Sequence, residues 1–279
     1  MFIKQDDGSR RIIFDNLDNI EEKLEPGVYS LKVQEANGFF GKQEFMYLYK
    51  VNTFINKNFV KAGIYKRIDD LINIHLSDAM AEAKRILKLR NKIGLMFNGA
   101  PGTGKTFTAG LIGQRIVDKK EGICIVTTDA SGERARKIIQ HLRTFTDKPI
   151  VWVFDEFEKS VERGDSALLS LLDGVDSPEN IIFIATVNDT SKLPNFIMQR
   201  PGRFENIVEF KIEDPIILKS IVESMLPKEY RDPKLLEDIN KSILASNNKT
   251  IDKIVLIMRD HLSKFIYLKN KTTKEKGTQ

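Results

Sequence analysis

GAPGTGKT, residues Gly99–Thr106, decides how the rest of the chain is read. It fits the pattern G-x-x-x-x-G-K-[ST], and its flanks fit as well. An apolar run, KIGLMFN, enters it, and a helix-forming run, TFTAGLIGQRIVDKK, leaves it. Glycines let the backbone curl until its amide groups converge as a nest for phosphate oxygens. The start of a helix adds partial positive charge at the same point. Lys105 is then placed to set a point charge on the β- and γ-phosphates, and the Thr106 hydroxyl to coordinate Mg²⁺.

A second apolar run, IVWVFDEFE over 150–158, closes on adjacent acids. Two carboxylates side by side at the end of a buried strand repel unless a cation or separate roles justify them. Asp155 is the expected holder of the Mg²⁺ shell, and Glu156 is then free to orient and polarise water. That second acid points to hydrolysis rather than binding alone. Glu158 and Glu162 read as solvated helix charges. A third run, IIFIATVND, ends in Asn188, a neutral amide able to hydrogen-bond the γ-phosphate or the attacking water.

Outward from these motifs, short apolar runs alternate with helical stretches. Between the loop and the acids come GICIVTTDA and GERARKIIQHLRTF, and after the acids SALLSLLDGV, with NIVEFKI as the last run. Runs without polar alternation imply strands buried on both faces, so the expected fold class is α/β, a phosphate-loop parallel sheet with helices on both faces. Upstream, RIDDLINIHLSDAMAEAKRILKLR is helical in character. Beyond Pro215 the strands stop, and three helical stretches follow, separated by Asp-Pro pairs and an Asn-Asn turn. At the other end, two strand-like runs flank Asn37-Gly38, a hairpin signal. Phe45, Tyr47 and Tyr49 alternate there with Met46 and Leu48. These aromatics read as the core of a small β unit, with a substrate-docking face as the alternative. Four segments are expected: a small β-rich N-terminal region over 1–61, an α/β ATPase domain over 62–213, a helical lid domain over 214–270 and a disordered basic tail over 271–279.

The 279 residues suit one central domain with smaller additions. No apolar run approaches a membrane span, and MFIKQDDGSRR carries no signal-type apolar stretch. The single cysteine, Cys124, excludes an internal disulfide framework; it reads as a small core residue in a reducing, cytoplasmic setting. The net charge of +5 permits an acidic or nucleic-acid partner without requiring one.

Taken together, these motifs resemble the AAA branch of the AAA+ ATPase superfamily, from about Ile64 to Tyr267. GAPGTGKT is similar to the Walker A motif, WVFDE to Walker B, and IATVN to the strand ending in sensor 1. LLSLLDGVDS resembles the leucine-rich helix and turn of many members, and LPNFIMQRPGRFE the second region of homology, which carries arginine fingers. The resemblance implies ATP and Mg²⁺ as cofactors and ATP hydrolysis as the reaction. It places nucleotide contacts at Gly99, Ala100, Pro101, Gly102, Thr103, Gly104, Lys105, Thr106 and Phe107, metal contacts at Thr106 and Asp155, and catalytic roles at Glu156, Lys105, Asn188, Arg200 and Arg203. It further implies that Arg200 and Arg203 face outward, toward ATP held by a neighbouring copy, where a guanidinium in trans is worth on the order of 10³–10⁵ in rate. A homo-oligomeric ring follows, and the family's usual ring is a hexamer.

The chain departs from the family pattern in two places. No arginine stands at the start of the last helix, where Lys249 and Lys253 are nearby. TTDASGERARKI has no aromatic before Gly132, which puts aromatic-grip threading of a polypeptide in doubt. Arg134, Arg136 and Lys137 read either as basic pore contacts or as a solvated helix face. The expected function is a ring ATPase that remodels a protein or protein complex. The alternatives are a ring ATPase acting on nucleic acid or its loading machinery, and a slow nucleotide-dependent scaffold.

Overall fold

The computed structural model describes residues 2–12, 23–38, 41–51, 63–161, 165–173, 178–198, 202–211, 215–247 and 249–276. The chain divides into two compact units. The first comprises Met1–Ile55, Leu71–Asn98 and Lys105–Val208; the second comprises Asn56–Asp70, Gly99–Gly104 and Glu209–Gln279.

The strands, in chain order, are β1 (Phe2–Lys4), β2 (Arg10–Ile12), β3 (Gly27–Gly38), β4 (Gly41–Lys50), β5 (Lys92–Asn98), β6 (Ile123–Thr127), β7 (Ile150–Phe154), β8 (Ile181–Val187) and β9 (Asn206–Glu209). They form a single nine-stranded sheet in the order β1-β2-β4-β3-β6-β7-β8-β5-β9. The apolar runs pair in parallel, with Ile123 opposite Ile150, Ile150 opposite Ile181, and Lys92 opposite Ile181. Every residue of β7 and β8 is buried, which is why neither shows polar alternation in sequence. Trp152, Phe154 and Phe183 lie in this core, and Cys124 is buried as expected. Burying each such large apolar side chain contributes about 1.5–3 kcal/mol.

The helices are α1 (Gly63–His75), α2 (Asp78–Ile86), α3 (Lys105–Lys120), α4 (Gly132–Arg143), α5 (Phe157–Ser160), α6 (Ser166–Asp173), α7 (Asn195–Met198), α8 (Pro215–Met225), α9 (Pro233–Leu244) and α10 (Ile251–Lys276). The upstream helical stretch is two helices, broken at Ser77. Its hydroxyl donates to Ile74 O at 2.7 Å and accepts from Met80 N at 3.2 Å, ending one helix and capping the next. On α4, Ala135, Ile138, Ile139 and Leu142 form the buried face, at helical spacing.

The N-terminal strands do not stand apart as the 1–61 boundary implies. β3 pairs in parallel with β6, placing Val28 opposite Cys124, so the N-terminal meander extends the central sheet. The hairpin forms, but Asn37 pairs with Lys42 and Gly38 with Gly41, so both lie within the strands. Core pairs such as Leu31–Leu48 and Val33–Met46 set that register, because a one-residue slip would expose them. The β4 core face is therefore Met46 and Leu48. Phe45, Tyr47 and Tyr49 occupy the opposite, half-buried face, with Arg11 over the Phe45 ring and Lys32 over that of Tyr49.

In the second unit the three expected helices are α8, α9 and α10. Asp232 caps α9 by accepting from Lys234 N and Leu235 N, with Pro233 at the first helical position. Leu235, Ile239 and Ile243 make its buried face. The helical backbone of α10 continues to Lys276, so the tail expected from 271 is helical through that residue.

Candidate active site

Within the first unit, three sequence-distant segments meet. Lys105 opens α3, and its buried ammonium donates to Asn188 Oδ1 at 3.0 Å, just past the end of β8. One residue on, Thr106 Oγ1 donates to Asp155 Oδ1 at 2.6 Å, at the end of β7. The same carboxylate oxygen accepts from Thr186 Oγ1 at 2.6 Å. Thr186 also accepts from Glu156 N at 3.0 Å, so one hydroxyl fixes both acids. Glu156 needs that support: at φ 51° and ψ 45° it sits in the left-handed region, which costs a non-glycine residue about 1–3 kcal/mol. Its carboxylate takes a hydrogen bond from Lys159 Nζ at 2.6 Å.

Burial pulls the Lys105 ammonium below its ordinary range, and the carboxylates of Glu158, Asp155 and Glu156 oppose that, in decreasing order. Glu158 is not the solvated charge expected from sequence. It is half-buried, and its Oε1 accepts from both Asn188 N, at 3.1 Å, and Asn188 Nδ2, at 2.8 Å. Glu162 lies outside the described residues.

In the second unit, the loop Gly99–Gly104 that leads into Lys105 holds a tight curl. Gly102 and Gly104 have φ of 76° and 89°, which side-chain-bearing residues rarely adopt. A Cβ on Gly102 would lie 3.0 Å from Thr250, and one on Gly104 3.3 Å from Ile251. Thr103 Oγ1 closes the curl on Ala100 O at 2.8 Å, and Ile251 N donates to Gly102 O at 2.6 Å. Pro101 is exposed in this loop, and Phe107, in α3, is 45% exposed.

Family comparison decides the class. The family described as "ATPase family associated with various cellular activities (AAA)" matches residues 95–212. The chain carries a domain of the AAA+ ATPase superfamily. Residues 95–212 make up that AAA ATPase domain, which spans the loop Gly99–Gly104, Asp155 and Glu156, β8 and β9. The chain is 27% identical over 233 residues to the ATP-dependent zinc metalloprotease FtsH of Ureaplasma parvum, covering 74% of this chain and 31% of that protein. It is 28% identical to the peroxisomal ATPase PEX6 of Candida glabrata, over 57% of this chain and 17% of the relative. It is also 28% identical to the vesicular-fusion protein SEC18 of Saccharomyces cerevisiae, over 56% and 24%. The chain thus spans less than a third of each of these relatives.

In this AAA domain Thr106 and Asp155 offer hard oxygens only, which suits Mg²⁺ held by few protein ligands and completed by water and phosphate. Among the described residues, no group of three or more His, Cys, Asp or Glu is placed to hold a metal ion. No helix among them is long and apolar enough to cross a membrane.

Two sequence-based expectations meet a different geometry. Arg203 does not face outward: it is 2% exposed, and its Nε and Nη2 donate to Asp173 Oδ1 and Oδ2 at 2.6 and 2.5 Å. The planar fork that suits a phosphate here matches a carboxylate of the same chain. Arg200 lies outside the described residues. Arg134 is not a free basic contact either. It donates twice to Glu44 on β4, at 3.0 and 2.8 Å, and once to Asp129 at 2.9 Å; the first partner dominates in raising its pKa. Lys137 pairs with Glu133 at 2.7 Å, and the buried Nε of Arg136 has no hydrogen-bond partner among the described residues.

Sequence reasoning missed Thr186, Glu158 and Asp173. Thr186 is the one hydroxyl in an otherwise apolar β8 run, a signal that was available. Glu158 and Asp173 carry none, because only the fold turns their carboxylates inward.

Proposed function

We propose that this chain hydrolyses ATP with Mg²⁺ as one subunit of a homo-oligomeric, hexameric ring, and that turnover remodels a protein or protein complex. The observation that carries the hydrolytic part is the junction of Lys105 with Asn188 and of Thr106 with Asp155, beside Glu156. It brings an ammonium, a hard-oxygen pair and a second acid to one place, the groups that phosphate binding and hydrolysis call for.

In this reading Gly99–Gly104 and Lys105 bind the phosphates, and Phe107 borders the nucleotide. Thr106 and Asp155 hold Mg²⁺, which when bound neutralises charge on the β- and γ-phosphates. Glu156 turns from Lys159 to orient the attacking water and accepts a proton from it at a carboxylate oxygen. Asn188 donates from Nδ2 to the γ-phosphate. Arg200 reaches the ATP of a neighbouring copy. Arg203 holds its own turn through Asp173, and serves a neighbour's nucleotide only if that pair opens. α8–α10 act as the lid.

The relatives, an ATP-dependent metalloprotease, a vesicular-fusion protein and a peroxisomal ATPase, favour a protein target over nucleic acid. The pairing of Arg134 with Glu44 and Asp129 weakens the basic-pore argument for nucleic acid.

The test is steady-state hydrolysis by the purified chain. Glu156→Gln should bind ATP and stall; Arg200→Ala should bind ATP and fail to turn over. Mixed rings should regain activity, because an intact Glu156 in one subunit meets an intact Arg200 from another. Co-assembled rings that stay inactive would refute the trans assignment. Stimulation by single-stranded DNA or RNA at physiological salt would move the target to nucleic acid.

A further inference from the structure

We propose that Glu158 is a positioning residue that fixes the side-chain amide of Asn188 in the orientation the phosphate site requires. The inference rests on the hydrolytic reading of this site.

Glu158 lies in the single turn of α5, and its carboxylate is turned back toward the end of β8. The chain of contacts runs from Lys105 Nζ to Asn188 Oδ1 at 3.0 Å, and from Asn188 Nδ2 to Glu158 Oε1 at 2.8 Å. The Asn188 backbone N–H reaches the same Oε1 at 3.1 Å. An ammonium only donates and a carboxylate only accepts, so the amide between them can be placed one way only. Its carbonyl faces Lys105, and one Nδ2 hydrogen goes to Glu158. The amide plane is then fixed, and with it the direction of the second Nδ2 hydrogen, the donor left for phosphate or water. Without Glu158 the amide can rotate, and an acceptor oxygen can stand where a donor is needed.

Two further observations agree. Among the described residues the buried Oε2 of Glu158 has no hydrogen-bond partner, an arrangement that calls for an explanation in a native fold. Glu158 is also the strongest opposing charge felt by Lys105, so one carboxylate acts on both phosphate-facing groups.

The test compares Glu158→Ala, Glu158→Gln, Asn188→Ala and the double variant Glu158→Ala/Asn188→Ala, with Mg·ATP turnover and binding of a fluorescent ATP analogue as readouts. Glu158→Ala should lower kcat roughly 10- to 100-fold, the scale of a misoriented group. Its nucleotide Kd should stay within about threefold, since an orientation effect falls on turnover rather than ground-state binding. Glu158→Gln should regain part of the loss, because its carbonyl can still accept from Asn188. The double variant should be no slower than Asn188→Ala alone, as residues acting through one another are non-additive. Losses that multiply in the double variant, or a Glu158→Gln no better than Glu158→Ala with both melting early, would overturn the proposal. Full turnover in Glu158→Ala would overturn it alone; a wild-type chain with no turnover sensitive to Glu156→Gln would overturn the hydrolytic reading with it.

Discussion

Arg203 and Asp173 form a fork-to-fork ion pair, linking the last residue of α6 to the turn before β9. The guanidinium is almost wholly buried, while the carboxylate keeps 27% exposure. Removing either partner strands the other's charge, at a cost of about 3 kcal/mol for a pair this enclosed. Arg203→Ala should therefore shift the urea unfolding midpoint downward. Arg203→Lys should recover less than half of the loss, since one ammonium cannot make two parallel bonds. A normal midpoint with abolished turnover would instead return Arg203 to an outward role.

Thr186 holds Asp155 and Glu156 at once. Thr186→Val keeps the shape, removes the hydroxyl and leaves the Glu156 N–H without its acceptor. A hydrogen bond to a charged group is worth about 1.5–3 kcal/mol, so turnover should fall roughly 10-fold or more. Half-maximal activity should need more Mg²⁺, and Thr186→Ser should restore both. An unchanged Mg²⁺ requirement would separate Thr186 from the metal role proposed for Asp155.

Gly132 opens α4 where that helix meets α6. A Cβ there would lie 1.9 Å from Leu168 N and 2.1 Å from its Cα, both backbone atoms that cannot swing aside. Its own N–H bonds Asp165 Oδ2 at 2.9 Å, and the other oxygen of that carboxylate caps Leu168 N at 2.8 Å. Gly132→Ala should cost at least about 1–3 kcal/mol in urea unfolding, the scale of forced overpacking. A variant as stable as the wild type would show that α6 can move away from α4.

His75 is buried, with Nδ1 3.1 Å from the Lys84 ammonium and Nε2 without a hydrogen-bond partner among the described residues. Burial first, and then the Lys84 charge, push its pKa down to about 3. Burial likewise lowers His141, to about 4. Folded values below the unfolded 6.5 mean that the unfolded chain binds the extra protons. Stability is then complete above pH 6.5 and falls as the pH drops from there toward 4 and 3. Each site contributes at most about 1.4 kcal/mol per pH unit. Unfolding midpoints at pH 7.5 and 5.5 should differ accordingly, and His75→Phe should remove roughly half of that difference. An equal drop in the variant would place the acid sensitivity elsewhere.

The parallel sheet was legible because buried strands leave long apolar runs, and the curl at Gly99–Gly104 because its backbone demands glycine. Asp155, Glu156 and Asn188 were legible as polar residues ending such runs. Glu158 was misread because its spacing from Glu156 is equally compatible with a wet helix face. Only the single-turn length of α5 and its approach to β8 turn it inward. Arg203 was misread for a related reason: the same Pro-Gly turn can aim a guanidinium out of the chain or back onto Asp173. The N-terminal strands looked separable because β3 pairs with a strand far along the chain, Gly27 standing opposite Ile123.

The pairing of β3 with β6 bears on where this protein can be cut. A shortened version starting at α1 would strip the neighbour from β6, leaving its amides and carbonyls bare along one side. Raw strand borders of that kind recruit other chains. The smallest well-behaved piece carrying the AAA domain should therefore begin upstream of Gly27, and shorter versions should precipitate even with Lys105, Asp155 and Glu156 intact.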